Sequence, residues 1–569
     1  MIGVLAEPGE ARTVEEFFEL FKTPWEFYDP LHRYDCVIAT TSQLPQPLNA
    51  DALVIYRSHP AKIGIQAVLS IDVQPGPTWV EWRDTKFPVY GDCGILPPAS
   101  SPRVTKQATG ETVGSVSVDD GMLPTARIAI DLFKEVAYLL SQGQPPENAH
   151  LPTLEFHIAL LRSVLSELGV TFAEVLATPA GYDFAACITH DVDFVRLADH
   201  KCDHTMWGFL YRGSVVSLRR ALGRKLSWSK CFQNWATVAT LPLVHLGLRD
   251  DPWMEFQRYA IVEKGLGATY FFIPFRRYPG MRGETEAPKR RAAKYDLSEL
   301  KDEVLYLRNS GCEIGVHGID AWQSTKKGQA ELQHVGETTG VQPAGIRMHW
   351  LYWSDESPGV LEEAGFKYDS TFGYNAAIGF RAGTGQVFRP LSANRLLELP
   401  LIIQDSAMFY SDRMMLSEKA ALDACKALVR SLCLYGGVLT VNWHTRSLSP
   451  ERLWGEFYVE LLQEVKRFRV WFGTAEKVVS WFQKRRSLQF REVGPSQRGV
   501  RQLVLSISSE TPELPFCVRL HRRDPITNSA SYTDHVSTGN DVLELPSSVI
   551  RLLQIQVPEA RPHSCSALP

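Results

Sequence analysis

Between residues 184 and about 486, short apolar runs alternate with stretches whose apolar side chains recur at helical spacing. The runs at 184–191, 268–275, 312–317, 344–349, 396–403, 437–443 and 469–473 predict strands. The stretches 253–264, 297–309, 357–364, 417–435 and 474–486 predict helices between them, and Gly311 and Gly365 stop two of these. Strands alternating with helices imply a parallel sheet. Polar residues at the C-terminal ends of about seven such units predict an α/β barrel with its site at that rim. An open doubly wound sheet fits the same pattern.

The first 183 residues read as a separate α/β domain of unknown role. Strands are predicted at 36–39, 52–56, 67–71 and 79–82, a loop over 97–118, and helices over 126–142 and 154–168. After about 488 the pattern turns to β type, at 502–507 and 516–520. Residues 488–569 therefore read as a small β domain with a disordered tail at 561–569. Within the barrel region, 195–252 interrupt the alternation as an insert. Its stretch 211–230 carries six Arg or Lys and no acid, with Val215, Leu218, Leu222 and Leu226 at helical spacing. That predicts a basic amphipathic helix, for peripheral membrane contact or an anionic substrate, or a solvated helix packed on the barrel.

Composition narrows the class. A chain of 569 residues is too long for one ordinary domain, and 44% hydrophobic with 22% charged residues is ordinary for a globular protein. A net charge of -4 implies no general attraction to nucleic acid. Residues 1–10 lack the basic start and apolar core of a signal peptide, and no run reaches membrane-spanning length, so a cytoplasmic protein is expected. The ten Cys form no CxxC pair and read as reduced.

The chemistry starts at the first barrel strand, which ends Thr189-His190-Asp191-Val192-Asp193. Alternation puts Asp191 and Asp193 on one face and His190 on the other. Two like charges on one face are costly unless a cation resolves them, which suggests a metal on one Asp and a base in the other. Other strand ends carry His317, then Arg347 and His349 two residues apart, then Asp369 and His444. Imidazole with carboxylate suits Zn²⁺ or another first-row divalent ion.

The order Asp-x-Asp, Gly-x-His, Gly-x-Arg, Tyr-Asp-Ser, Trp-His resembles the NodB-type polysaccharide deacetylases, carbohydrate esterase family 4, in a bacterial branch with an extra N-terminal domain. Residues 380–384 and 399–401 extend the resemblance, which covers about 184–486. It implies a distorted (β/α)7 barrel and metal-dependent removal of an N-acetyl, sometimes O-acetyl, group from a carbohydrate. It also implies Asp191 as base, Asp193 and His317 as metal ligands, Arg347 and Asp369 as catalytic support and His444 as acid. The position of the family's second metal-binding His is Ala321. Asp320 and His349 are the candidate replacements, and strand alternation favours His349. The expected substrate is a nucleotide- or lipid-linked sugar precursor. Hydrolysis of a small cyclic amide or imide, and a non-catalytic glycan-binding barrel, are the alternatives.

Overall fold

A computed structural model describes residues 1–59, 72–98, 102–118, 122–493, 501–508, 513–523 and 529–545. The run predicted at 67–71 and the tail at 561–569 lie outside them.

The expected barrel is present as a curled, all-parallel sheet. Its eight-strand path runs Leu397–Glu398, Tyr368–Asp369, Gly345–Met348, Glu313–Gly318, Ala268–Phe272, Phe184–Val192, Val438–Asn442, Ile403–Gln404. Val470–Phe472 pairs with the first half of Phe184–Val192 as a ninth strand. Phe184–Val192 is buried along its whole length, as a central parallel strand covered on both faces should be. Gly345 opens its strand because the Tyr368 ring lies there; a Cβ would come within 1.8 Å of it.

The run predicted as one strand at 396–403 is two short strands on opposite sheet edges. Pro400 sits between them, has no N–H for a ladder and breaks the pairing. The strand predicted at 344–349 ends at Met348. His349–Leu351 is a tight turn with Trp350 and Leu351 both at positive φ, 62° and 52°.

The N-terminal region forms a second nine-stranded sheet, parallel in one half and antiparallel in the other, covered by helices Ala11–Phe21, Leu132–Ser141 and Thr153–Glu167. Two expectations change there. The helix predicted at 126–142 begins only at Leu132, because Thr125–Ile128 is a strand paired with Leu53–Tyr56. The loop predicted over 97–118 contains strands Pro102–Lys106 and Thr112–Ser117, whose Thr and Val fit a pleated surface. The expected C-terminal β structure is present. Phe516–Arg523 pairs antiparallel with Phe172–Pro179, the strand that precedes the barrel.

The helix predicted at 211–230 is also interrupted. His204–Tyr211 runs through a wide turn at Arg212–Val216 into Ser217–Leu222, then stops; Trp228–Ala239 is a separate helix. Arg224 at φ 57° and the Ser227 cap on Lys230 mark the break.

Candidate active site and metal centre

Parallel strands deliver their C-terminal residues to one rim, and the rim here lines a cleft of about 520 Å³. Asp191, Asp193, His317, His349 and His444 all face it. The metal-ligand candidates converge tightly. His317 Nε2 and His349 Nδ1 are 2.9 Å apart, and each is 3.2 Å from Asp193 Oδ1. Three ligands of one tetrahedral ion with bonds of 2.0–2.1 Å would stand about 3.3 Å apart. Asp193 Oδ1 is buried and accepts no well-directed hydrogen bond among the described residues. Two imidazole nitrogens and a carboxylate oxygen facing one point therefore fit a divalent ion.

The two candidate imidazole ligands are held from behind. His317 Nδ1 lies 2.9 Å from the Arg347 carbonyl, which sets Nδ1 as donor and leaves the Nε2 lone pair free. Burial lowers the His349 imidazole to about 4, against the pull of Asp193, so it stays neutral with a lone pair to offer. The His349 carbonyl accepts from Arg291 Nη2 at 3.0 Å, and Arg291 also donates to the carbonyls of Pro279 and Ile319. That buried guanidinium fixes the turn that swings His349 inward although its strand has ended.

Asp320 is held elsewhere. Its oxygens accept from Tyr278 Oη at 2.6 Å, Met281 N at 2.7 Å and Lys327 Nζ at 2.6 Å. Ala321 is buried against the helix Thr325–Thr339.

Asp191 stands beside the triad as a fixed carboxylate. Arg347 Nη1 donates to Oδ1 at 3.0 Å and Asn442 Nδ2 to Oδ2 at 2.7 Å. Burial alone would raise its carboxyl, but His317, Arg347 and His444 outweigh that and lower it. Arg347 is fully buried, 4.7 Å over the Phe271 ring, and also bonds Thr189 and Ser370.

His444 follows the Val438–Asn442 strand. Its Nδ1 lies 2.6 Å from Asp405 Oδ1 and its Nε2 3.7 Å from Asp193 Oδ2. Burial would lower the imidazole, but Asp405, then Asp193 and Asp191, raise it to about 10.

Two predicted site residues, Arg347 and Asp369, do not line the cleft; Arg347 acts on it through its bond to Asp191. Asp369 is fully buried and takes a hydrogen bond from Thr371; burial raises its carboxyl to about 7, with the Glu398 carboxyl beside it. The carboxylate that meets a cleft imidazole is Asp405, against His444 Nδ1, and sequence reasoning missed it. The available signal was its place directly after the Ile403–Gln404 strand, at the same rim.

A second pocket, also about 520 Å³, shares Phe194, His204 and Tyr410 with the cleft. Arg212, Arg446 and Arg452 line it together with Asp412 and Glu451, so cations outnumber acids there, and the Glu451 carboxylate acts on Arg212 and Arg452. Arg452 is 8% exposed, and its buried Nε has no hydrogen-bond partner among the described residues. Arg446 Nη2 donates to Tyr410 Oη at 3.0 Å, and the arginines outweigh burial to lower that phenol to about 7.

No family model and no curated protein matches the chain. Solved structures do. A Mycobacterium smegmatis protein assigned as a polysaccharide deacetylase is 16% identical, covering 54% of this chain and 93% of that one, at a TM-score of 0.35. Puue allantoinase is 13% identical over 53% and 91% of the two chains, TM-score 0.33. A family 4 carbohydrate esterase from Streptomyces lividans is 11% identical over 38% and 83%, TM-score 0.22. Similarity at this level carries no conclusion about activity, which rests on the geometry.

Proposed function

We propose that this protein is a metal-dependent hydrolase that removes an N-acetyl, or O-acetyl, group from a sugar precursor. The observation that carries the reading is the Asp193–His317–His349 triangle beside two further groups of complementary charge, Asp191 and the His444–Asp405 pair. A divalent ion bound by the triangle would polarise the acyl carbonyl and an attacking water. Zn²⁺ suits a donor set of two imidazoles and one carboxylate. Asp191, held ionised by Arg347 and Asn442, takes the proton from the water as its oxygen bonds to the acyl carbon. His444, held protonated by Asp405, gives a proton to the departing amine nitrogen as the C–N bond breaks. The products are acetate and the free amino sugar.

The arginine pocket supports a phosphate-linked substrate, a nucleotide- or lipid-linked sugar, because guanidinium forks match phosphate oxygens. The unpaired state of all nine described cysteines fits a reducing, cytoplasmic setting.

The test has two parts. Protein purified without chelator is analysed for metal, then assayed for acetate release from N-acetylated sugars and their nucleotide-linked forms, with cyclic imides alongside. The reading expects about one divalent ion per chain, acetate release and competitive inhibition by pyrophosphate that Arg212→Gln relieves. A metal-free protein, or turnover of cyclic imides only, would remove it.

A further inference from the structure

The insert has a second face that the proposed chemistry leaves unused. From His204 to Arg249 there are 46 consecutive residues with seven Arg or Lys and no Asp or Glu. Its helices spend one apolar stripe on the protein: Met206, Phe209, Gly213, Ser217 and Ala221 are buried, with Asn234 of the next helix bonded to Ser217 Oγ at 2.8 Å. Other apolar positions, spread over all the helices of this segment, are exposed. Trp207 is 59% exposed, Leu222 65%, Phe232 57% and Leu248 72%. Of the 25 large apolar side chains exposed among the described residues, ten lie in these 46 residues of a 569-residue chain. Trp228, Phe232 and Trp235 form an aromatic row along one helix, with ring centroids 6.1 Å and 5.9 Å apart. Arg219, Arg224, Lys225 and Arg249 are exposed on the same segment.

We propose that this face docks on an anionic lipid bilayer, lying in the headgroup layer without crossing it. No helix among the described residues is long and apolar enough to span a membrane. Exposed Trp and Phe with apolar bodies suit the interfacial zone, and unopposed cations beside them suit acidic headgroups. Charge decides between occupants. The segment has no acid of its own, and Glu456 beside it is spent on Lys230, so a second copy would bring two net-cationic faces together, whereas an anionic bilayer supplies both the apolar layer and the counter-charge. The inference stands apart from the metal site, since neither the aromatic row nor these cations touch the triad.

Flotation of the full chain with vesicles tests it. Vesicles of phosphatidylcholine mixed with phosphatidylglycerol should bind the protein at low salt, high salt should release it, and pure phosphatidylcholine should bind it far less. Tryptophan emission should shift to the blue on binding. The triple change R219Q/R224Q/K225Q, all at exposed positions, should weaken binding on the order of a hundredfold. Trp228→Glu with Phe232→Glu should abolish it while leaving metal content unchanged. Absence of binding to anionic vesicles at low salt overturns the proposal. So does a dimer in solution that the Glu variants dissociate, because a second copy then covers the face.

Discussion

At the scale of single residues, the site separates roles that look alike in sequence. Asp191 and Asp193 stand two apart on one strand, yet one is gripped by Arg347 and Asn442 and the other faces two imidazoles. Asp191→Asn should therefore keep the metal and lose about a hundredfold or more in turnover, while Asp193→Asn should lose the metal; metal analysis beside acetate release checks both. For the third ligand, His349→Ala should lower metal affinity strongly and Asp320→Ala little. Equilibrium dialysis ranks the two, and the reverse order would move the ligand role to Asp320. Asp405 acts through His444. It raises the imidazole, so the protonated acid persists to higher pH. Asp405→Asn should shift the alkaline limb of the kcat profile to lower pH and cut kcat more than it raises KM.

At the scale of elements, the helix Thr153–Glu167 carries a liability that pH exposes. His157 is fully buried, neither ring nitrogen has a partner among the described residues, and burial lowers its pKa from 6.5 to about 4. A depressed pKa means the unfolded chain binds the extra proton first. The stability tied to neutral His157 is thus intact above pH ~6.5 and declines as pH falls toward ~4, by about 3 kcal/mol in all. His157→Leu, of similar size and unable to ionise, should flatten the pH dependence of urea unfolding over that window relative to wild type. An unchanged slope difference would mean that His157 finds a partner when protonated.

At the scale of the whole molecule, a single buried cation joins three separate stretches of chain. Arg485, in the helix Ala475–Ser487 after the barrel, donates to the carbonyls of Val175 and Leu176 before the barrel and of Glu19 and Leu20 near the N-terminus. Removing a charged donor leaves these carbonyls buried without it. Arg485→Met, which keeps the apolar bulk, should cost roughly 3 kcal/mol. Thermal melts followed separately by near-ultraviolet dichroism and by metal release would show whether the barrel and the N-terminal sheet then part into two transitions.

What the chain determined by itself was local. The 3.6 and 2 periodicities and the Gly stops marked most barrel elements, because a strand or helix must bury one face whatever surrounds it. Alternation placed Asp191 with Asp193 on one face of their strand. Tertiary structure decided what depends on contacts between distant stretches. Pro400 split one apolar run across two sheet edges, and Thr125–Ile128 became a strand by pairing with Leu53–Tyr56. Asp320 was spoken for by Lys327 and Tyr278. His349 reached the triad through a turn held by Arg291 from 58 residues away. Asp405 met His444 across 39 residues of chain, where Asp369, at a similar rim position, was walled in beside Glu398. A residue's type and spacing set which chemistry it can perform. Only the packed sheet sets which oxygen or nitrogen faces it, because those partners come from far along the chain.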